Sequence, residues 1–136
     1  MFINLEGAGA GGRAALFRST SPRLTAAFSA AAHPHGSVLF SDIFASGAVN
    51  SITDFQIYGA AGMAGVDYAF YTGRHKYHTV QDSVPSLRGK KALWSMMENV
   101  HGAAMSAAHD TRPEDDKSLK VVYFDSKYNS LYSLAY

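Results

Sequence analysis

A chain of 136 residues with 47% hydrophobic side chains is long enough for one domain with a sizeable core. Its 12 basic and 11 acidic residues nearly cancel, so no broad field invites nucleic acid or an anionic membrane surface. It contains no cysteine, which removes disulfides, thiolate zinc sites and cysteine nucleophiles, leaves the redox compartment open, and restricts any metal to His, Asp or Glu ligands.

In chain order, Phe2, Ile3 and Leu5 form a short apolar run halted by Gly7, Gly9, Gly11 and Gly12, the pattern of a buried strand opening into a loop. This start lacks the basic region, long apolar stretch and cleavage site of a signal peptide. No run reaches the roughly 20 apolar residues that span a bilayer. Ala14 to Phe17 suits another short strand. Pro22 after Ser21, with Leu24, Ala27, Phe28 and Ala31 at helical spacing, predicts a helix to about Ala32. His33-Pro34-His35-Gly36 ends it, and Val38 to Phe44 fits either a strand or a helix.

Further on, Val66, Tyr68 and Phe70 alternate with Asp67 and Ala69, which predicts a strand, followed by a loop holding Arg74, His75, Tyr77, His78 and Asp82. From Pro85, the spacing of Leu93, Met97, Val100, Ala104 and Ala107 predicts one buried stripe on a long helix ending near His109, with Trp94 widening the buried face. Thr111 to Lys117 reads as an exposed loop, Lys120 to Phe124 as a strand and Tyr128 to Tyr136 as a last hairpin strand. Strands alternating with helices, without an internal repeat, make α/β the expected class.

Three patterns bear on chemistry. Gly7, Gly9 and Gly12 match GxGxxG after a strand, but a dinucleotide site also needs a helix opening on the loop and an acid about 20 residues on. Arg13 to Thr20 is too short for that helix, and the next acid after Glu6 is Asp42. Glu6 itself ends an apolar run, where a carboxylate is costly unless it faces a cleft, is paired or binds a metal. Capping the glycine loop, or a pair with Arg13, are its plainer alternatives. His75, His78 and Asp82 follow a predicted strand. Neutral imidazole is a common zinc ligand and an acid can orient it, while a solvated loop is the alternative. His33 and His35 around Pro34 fit an exposed turn, His101 and His109 a helix face or end, and Glu114, Asp115 and Asp116 a solvated charge run. No serine lies in a Gly-x-Ser-x-Gly elbow.

Taken together, Asn4-Leu5-Glu6-Gly7-Ala8-Gly9 with Gly11-Gly12, then Gly62-Met63-Ala64-Gly65-Val66-Asp67-Tyr68-Ala69-Phe70-Tyr71, then Tyr77-His78-Thr79 with Asp82, resemble the aminopeptidase-like zinc metallopeptidases, in particular the fungal vacuolar membrane proteases. The likeness runs from Phe2 to the helix ending near His109, and the strand from Val121 to Asp125 is compatible with the next stretch of that family. It implies a three-layer α/β/α sandwich with a mixed sheet, present only in part, and makes residues 1–136 the C-terminal part of a single catalytic domain.

The resemblance implies a two-zinc site in which Glu6 and His78 bind different ions. It makes Asp82, Asp54 and Tyr77 supporting or architectural residues. The family's upstream His, bridging Asp and Glu-Glu pair, whose first Glu is the general base, have no counterpart in this chain. A fragment inactive alone is therefore expected, from a parent that hydrolyses peptides or proteins, sits in the vacuole and is anchored in its membrane. A non-catalytic α/β protein-binding module and a nucleotide-binding enzyme are the competing classes. With Met1 opening what would be an interior strand, the isolated chain is expected to be poorly stable.

Overall fold

The computed structural model describes residues 1–49, 52–87, 89–113, 119–126 and 130–136. Its elements are β1 (Phe2–Gly7), β2 (Ala15–Ser19), α1 (Pro22–Ser29), α2 (Val38–Ala45), α3 (Asp54–Ala60), β3 (Gly65–Phe70), α4 (Lys90–His109), β4 (Val121–Asp125) and β5 (Leu131–Ala135). Strands β1, β3 and β2 form a mixed sheet in that order, β1 parallel to β3 and β2 antiparallel to it. The hairpin β4–β5 is a second sheet. Single bridges from Leu16 to Gly36 and from Ser37 to Phe124 link the two. The class is mixed α/β, as expected.

Strand β1 differs from the buried strand anticipated. Among the described residues it pairs with β3 alone, and Leu5 is 51% exposed.

Local signals account for most helix starts. The Ser21 hydroxyl accepts from the Leu24 amide and Pro22 opens α1. The helix stops at Ser29, short of Ala32, because the Ala30 and Ala31 amides turn back to Ala27 and Phe28 and tighten the last turn. The ambiguous run from Val38 is helical, with Ser37 capping the Leu39 amide. Helix α3 was not anticipated, yet Thr53 and Gln56 make a reciprocal capping box at its start.

Helix α4 corrects two expectations. It begins at Lys90, after a 3-10 turn at Val84–Leu87 rather than at Pro85. Its buried face is Ala92, Met96, Asn99 and Ala103, whereas Leu93, Trp94 and Met97 are 53%, 64% and 54% exposed. The true stripe has the expected period but starts one residue earlier, with Val100 and Ala107 at its margin. Close approach to α1 decides between the two stripes. A Cβ on Gly102 would stand 3.0 Å from the Cα of Ala31, just past the end of α1, so α4 presents its Gly102–Ala103 side there and Leu93, Trp94 and Met97 turn outward.

The main core fills one face of the sheet with Leu16, Leu24, Phe28, Val66, Tyr68, Met96, Tyr123 and Leu131, and the rings of Phe28 and Tyr68 meet at 4.9 Å. A smaller cluster of Ala15, Phe17 and Ala69, packed by Phe40 and Phe44, covers part of the other face. Strand β2 does not alternate strictly. Leu16 opposes Tyr68 and Arg18 opposes Asp67, which are consecutive on β3, so Phe17 is an extra residue and marks a bulge. The bulge puts Phe17 and Arg18 on one face, and the buried Tyr123 hydroxyl donates to the bulged Phe17 carbonyl at 2.9 Å.

Among the described residues no helix is long and apolar enough to cross a membrane.

Candidate metal centre

The register of β1 on β3 sets Asn4 opposite Asp67 and Glu6 opposite Ala69. These four side chains share one face of the sheet. Asn4 Nδ2 donates to Glu6 Oε1 at 3.1 Å and to Asp67 Oδ1 at 2.8 Å. Asp67 Oδ2 takes Arg18 Nε at 2.8 Å and Nη2 at 2.6 Å. Arg18 Nη2 also donates to Thr53 Oγ1 at 2.8 Å, tying the network to the start of α3. The guanidinium lies 4.2 Å and 4.5 Å from the ring centres of Phe44 and Phe55, a stacking that suits arginine over lysine.

Burial pushes the Asp67 carboxyl above its ordinary range, against the opposing pull of its hydrogen bond from Asn4 and of the Arg18 charge. Arg18 and Asp67 are nonetheless a paired buried charge, the one form in which such groups are tolerated inside.

Two motifs about seventy positions apart meet beside this network. A small cavity of about 30 Å³ is lined by Glu6, Phe17, Arg18, Thr53, Asp67 and Tyr77, among others. The rings of Tyr77 and His78 stack at 3.9 Å; Tyr77 lines that cavity, whereas the exposed His78 does not. His78 has φ 61°, the one left-handed backbone among the described non-glycine residues, and its amide donates to Asp82 Oδ2 at 3.3 Å. Asp82 thus contacts the backbone of His78. Asp54 stands exposed in the first turn of α3, where a carboxylate suits the helix dipole.

Other sequence candidates resolve differently. The glycine loop leads from β1 straight into β2, so the helix that a dinucleotide site requires is missing at that point. Its glycines serve packing. A Cβ on Gly9 would lie 2.6 Å from the Thr72 carbonyl oxygen, and the Ala10 amide donates to that oxygen at 2.8 Å. Arg13 does not pair with Glu6; it donates to the His33 and Pro34 carbonyls and approaches Asp125 at 3.9 Å.

The segment at His33 and His35 is not simply an exposed turn, because Pro34 is fully buried. His35 is held at both ring nitrogens, Nδ1 by Asp125 at 2.7 Å and Nε2 by the Tyr71 hydroxyl at 2.8 Å. His75 and His101 are exposed, and His109 contacts the Met105 carbonyl. Glu114, Asp115 and Asp116 lie outside the described residues.

The sequence singled out Glu6, Tyr77 and His78 as candidates but not Arg18, which the structure sets beside Glu6 in the lining of the same cavity. The available signal was a pair of opposite charges inside two apolar strands, each costly to bury alone.

A carboxylate and an imidazole are donors of the kind zinc takes. Among the described residues, however, no group of three or more His, Cys, Asp or Glu is arranged to hold a metal ion. The donor chemistry fits zinc while the donor number does not fill a four-coordinate shell.

Known proteins give the family. The chain is 46% identical to the vacuolar membrane protease of Laccaria bicolor over 131 residues, covering 91% of this chain and 13% of that protein. It is 45% identical over 128 residues to that of Schizophyllum commune, covering 91% and 14%, and 46% identical over 110 residues to that of Sclerotinia sclerotiorum, covering 81% and 10%. The chain therefore spans about one seventh or less of the length of these relatives. No solved structure matches it. Residues 1–104 match Peptidase family M28, and the chain belongs to that family.

Proposed function

We propose that this chain contributes Glu6 and His78, one to each ion, to a two-zinc peptidase centre, with the remaining ligands and the general base coming from sequence beyond this chain. Residues 1–136 are then the C-terminal part of one catalytic domain of aminopeptidase-like three-layer α/β/α form. Membership of Peptidase family M28 supports hydrolysis of peptide bonds, and the names of its relatives support a protease of the vacuole or its membrane. Exopeptidase action on a peptide or protein substrate is the specific form proposed.

The observation that carries the reading is the cavity shared by Glu6 and Tyr77. It brings the Asn-Leu-Glu-Gly and Tyr-His-Thr segments to one place at the end of the parallel strand pair, where α/β sheets hold their sites. When bound, zinc would polarise a scissile carbonyl and acidify a water molecule. The residues of this chain would orient the metal, with Tyr77 beside Glu6 and Asp82 holding the backbone of His78.

Zinc titration by calorimetry tests this on the wild-type chain beside a Glu6→Ala/His78→Ala variant. Weak uptake that the double substitution abolishes is expected of a partial ligand set. Equal uptake by both chains would assign the metal to other groups and reject the ligand reading.

A further inference from the structure

Glu6 has a neighbour with an unusual bonding pattern. The Asn4 amide nitrogen carries two protons, and the structure uses one on Glu6 Oε1 and the other on Asp67 Oδ1. The orientation of this amide is fixed by chemistry, since a flipped Asn4 would set its carbonyl oxygen against two carboxylates. Asp67 cannot yield, because its second oxygen is occupied by two nitrogens of Arg18. Arg18 is in turn held by Phe44, Phe55 and Thr53. Among the described residues Glu6 Oε2 makes no hydrogen bond.

We propose that Asn4 is a positioning residue: anchored by Asp67 and Arg18, its amide fixes the Glu6 carboxylate through Oε1 and leaves Oε2 as the free donor atom. The inference rests on the assignment of Glu6 as a ligand for its meaning, but not for its test. A carboxylate on a flexible stem loses rotamer freedom when it binds a metal. Holding it in advance through a supporting hydrogen bond removes that cost, and such outer partners commonly alter metal affinity 10–100-fold, as an order of magnitude. The chain of contacts also explains why a buried ion pair lies next to the cavity. Asp67 and Arg18 form an anchor on two different strands, and Asn4 transmits its rigidity to the end of β1.

The test reads the Glu6 side chain directly. Three-bond couplings across its χ1 bond, measured by NMR on the isotope-labelled full chain, should report one dominant rotamer in the wild type. In Asn4→Ala, which leaves the Arg18–Asp67 pair intact, they should become averaged while backbone shifts elsewhere persist. Asn4→Thr, a strand-favouring residue with one hydroxyl proton, should release Glu6 in the same way and serves if the alanine variant does not fold. A wild-type Glu6 that already samples several rotamers, or one that stays fixed in a folded variant, would overturn the proposal. A fixed Glu6 in a chain whose measured zinc uptake is unchanged by Glu6→Ala would instead reject the ligand assignment and leave the positioning role standing.

Discussion

The two faces of the β1–β3–β2 sheet are built from alternate residues of the same strands, yet they are held together by different physics. On one face Val66, Tyr68 and Leu16 meet Phe28, Leu24 and Met96 in an apolar core. This contact is non-directional and tolerates small rearrangement. On the other, one residue away along β3, both carboxylate oxygens of Asp67 are bound, one by Asn4 and one by Arg18, in a directional network. The apolar face supplies stability, whereas the polar face supplies position. Replacing a buried ion pair by apolar groups is often neutral or better for stability, but removing one member strands the other.

That contrast can be broken experimentally. Phe28→Ala and Arg18→Ala should each destabilise the chain by about 3–5 kcal/mol, the first by leaving a cavity and the second by leaving Asp67 charged, buried and unpaired. Only the second loss should be recoverable. Arg18→Met with Asp67→Leu is expected to restore most of the stability in urea unfolding, with Glu6 released from its single rotamer. Failure of the double substitution to recover would mean that the polar face is a stability element after all.

A smaller effect concerns the loop after β1. Gly9→Ala places a Cβ against the Thr72 backbone, so one segment must move, at a cost of about 1–3 kcal/mol. The same denaturation measurement reads it. An unchanged midpoint would show that the glycine loop and the segment leading to Tyr77 are free to separate.

The mildest change is at the outer end of α4. Hydrogen bonds from the Arg112 side chain, then from its backbone, together with the charges of Arg112 and Arg23, hold Asp110 down to about 2 from its ordinary 3.8. Because the folded value is the lower one, the stabilisation is present above about pH 4 and is lost as pH falls towards 2. Arg112→Ala should therefore lower the melting temperature slightly and by a constant amount above about pH 5, and flatten its fall in that window so that the two curves converge towards pH 2. A wild-type melting curve that does not respond between pH 4 and 2 would remove this contribution.

Local chemistry made much of the fold legible in the sequence. The Ser21-Pro22 start of α1 and the alternation in β3 could be read from neighbouring residues. The Thr53-x-x-Gln56 signature of α3 was equally present, but α3 has only 7 residues and too few turns to display an apolar stripe. In α4 the period was legible and the phase was not, since phase depends on how closely Gly102 lets α1 approach. The site divides in the same way. Glu6 and the Tyr77-His78 pair stand in contiguous motifs. The contacts Asn4–Asp67 and Arg18–Asp67 join residues 63 and 49 positions apart, and they depend on strand order and register that no local pattern encodes.

The bulge at Phe17 bears on how this chain should be compared with shorter relatives. Leu16 and Arg18 oppose consecutive residues of β3, so a sequence lacking position 17 could run a regular ladder with its ion pair and its apolar face both intact. What would vanish is one aromatic ring, the one stacked 4.6 Å from Phe40 and tilted 6.2 Å from Tyr71, together with the carbonyl that accepts from the Tyr123 hydroxyl. A one-residue gap at this point of an alignment should accordingly be read as a wall removed from the cavity, with the strand beneath it undisturbed.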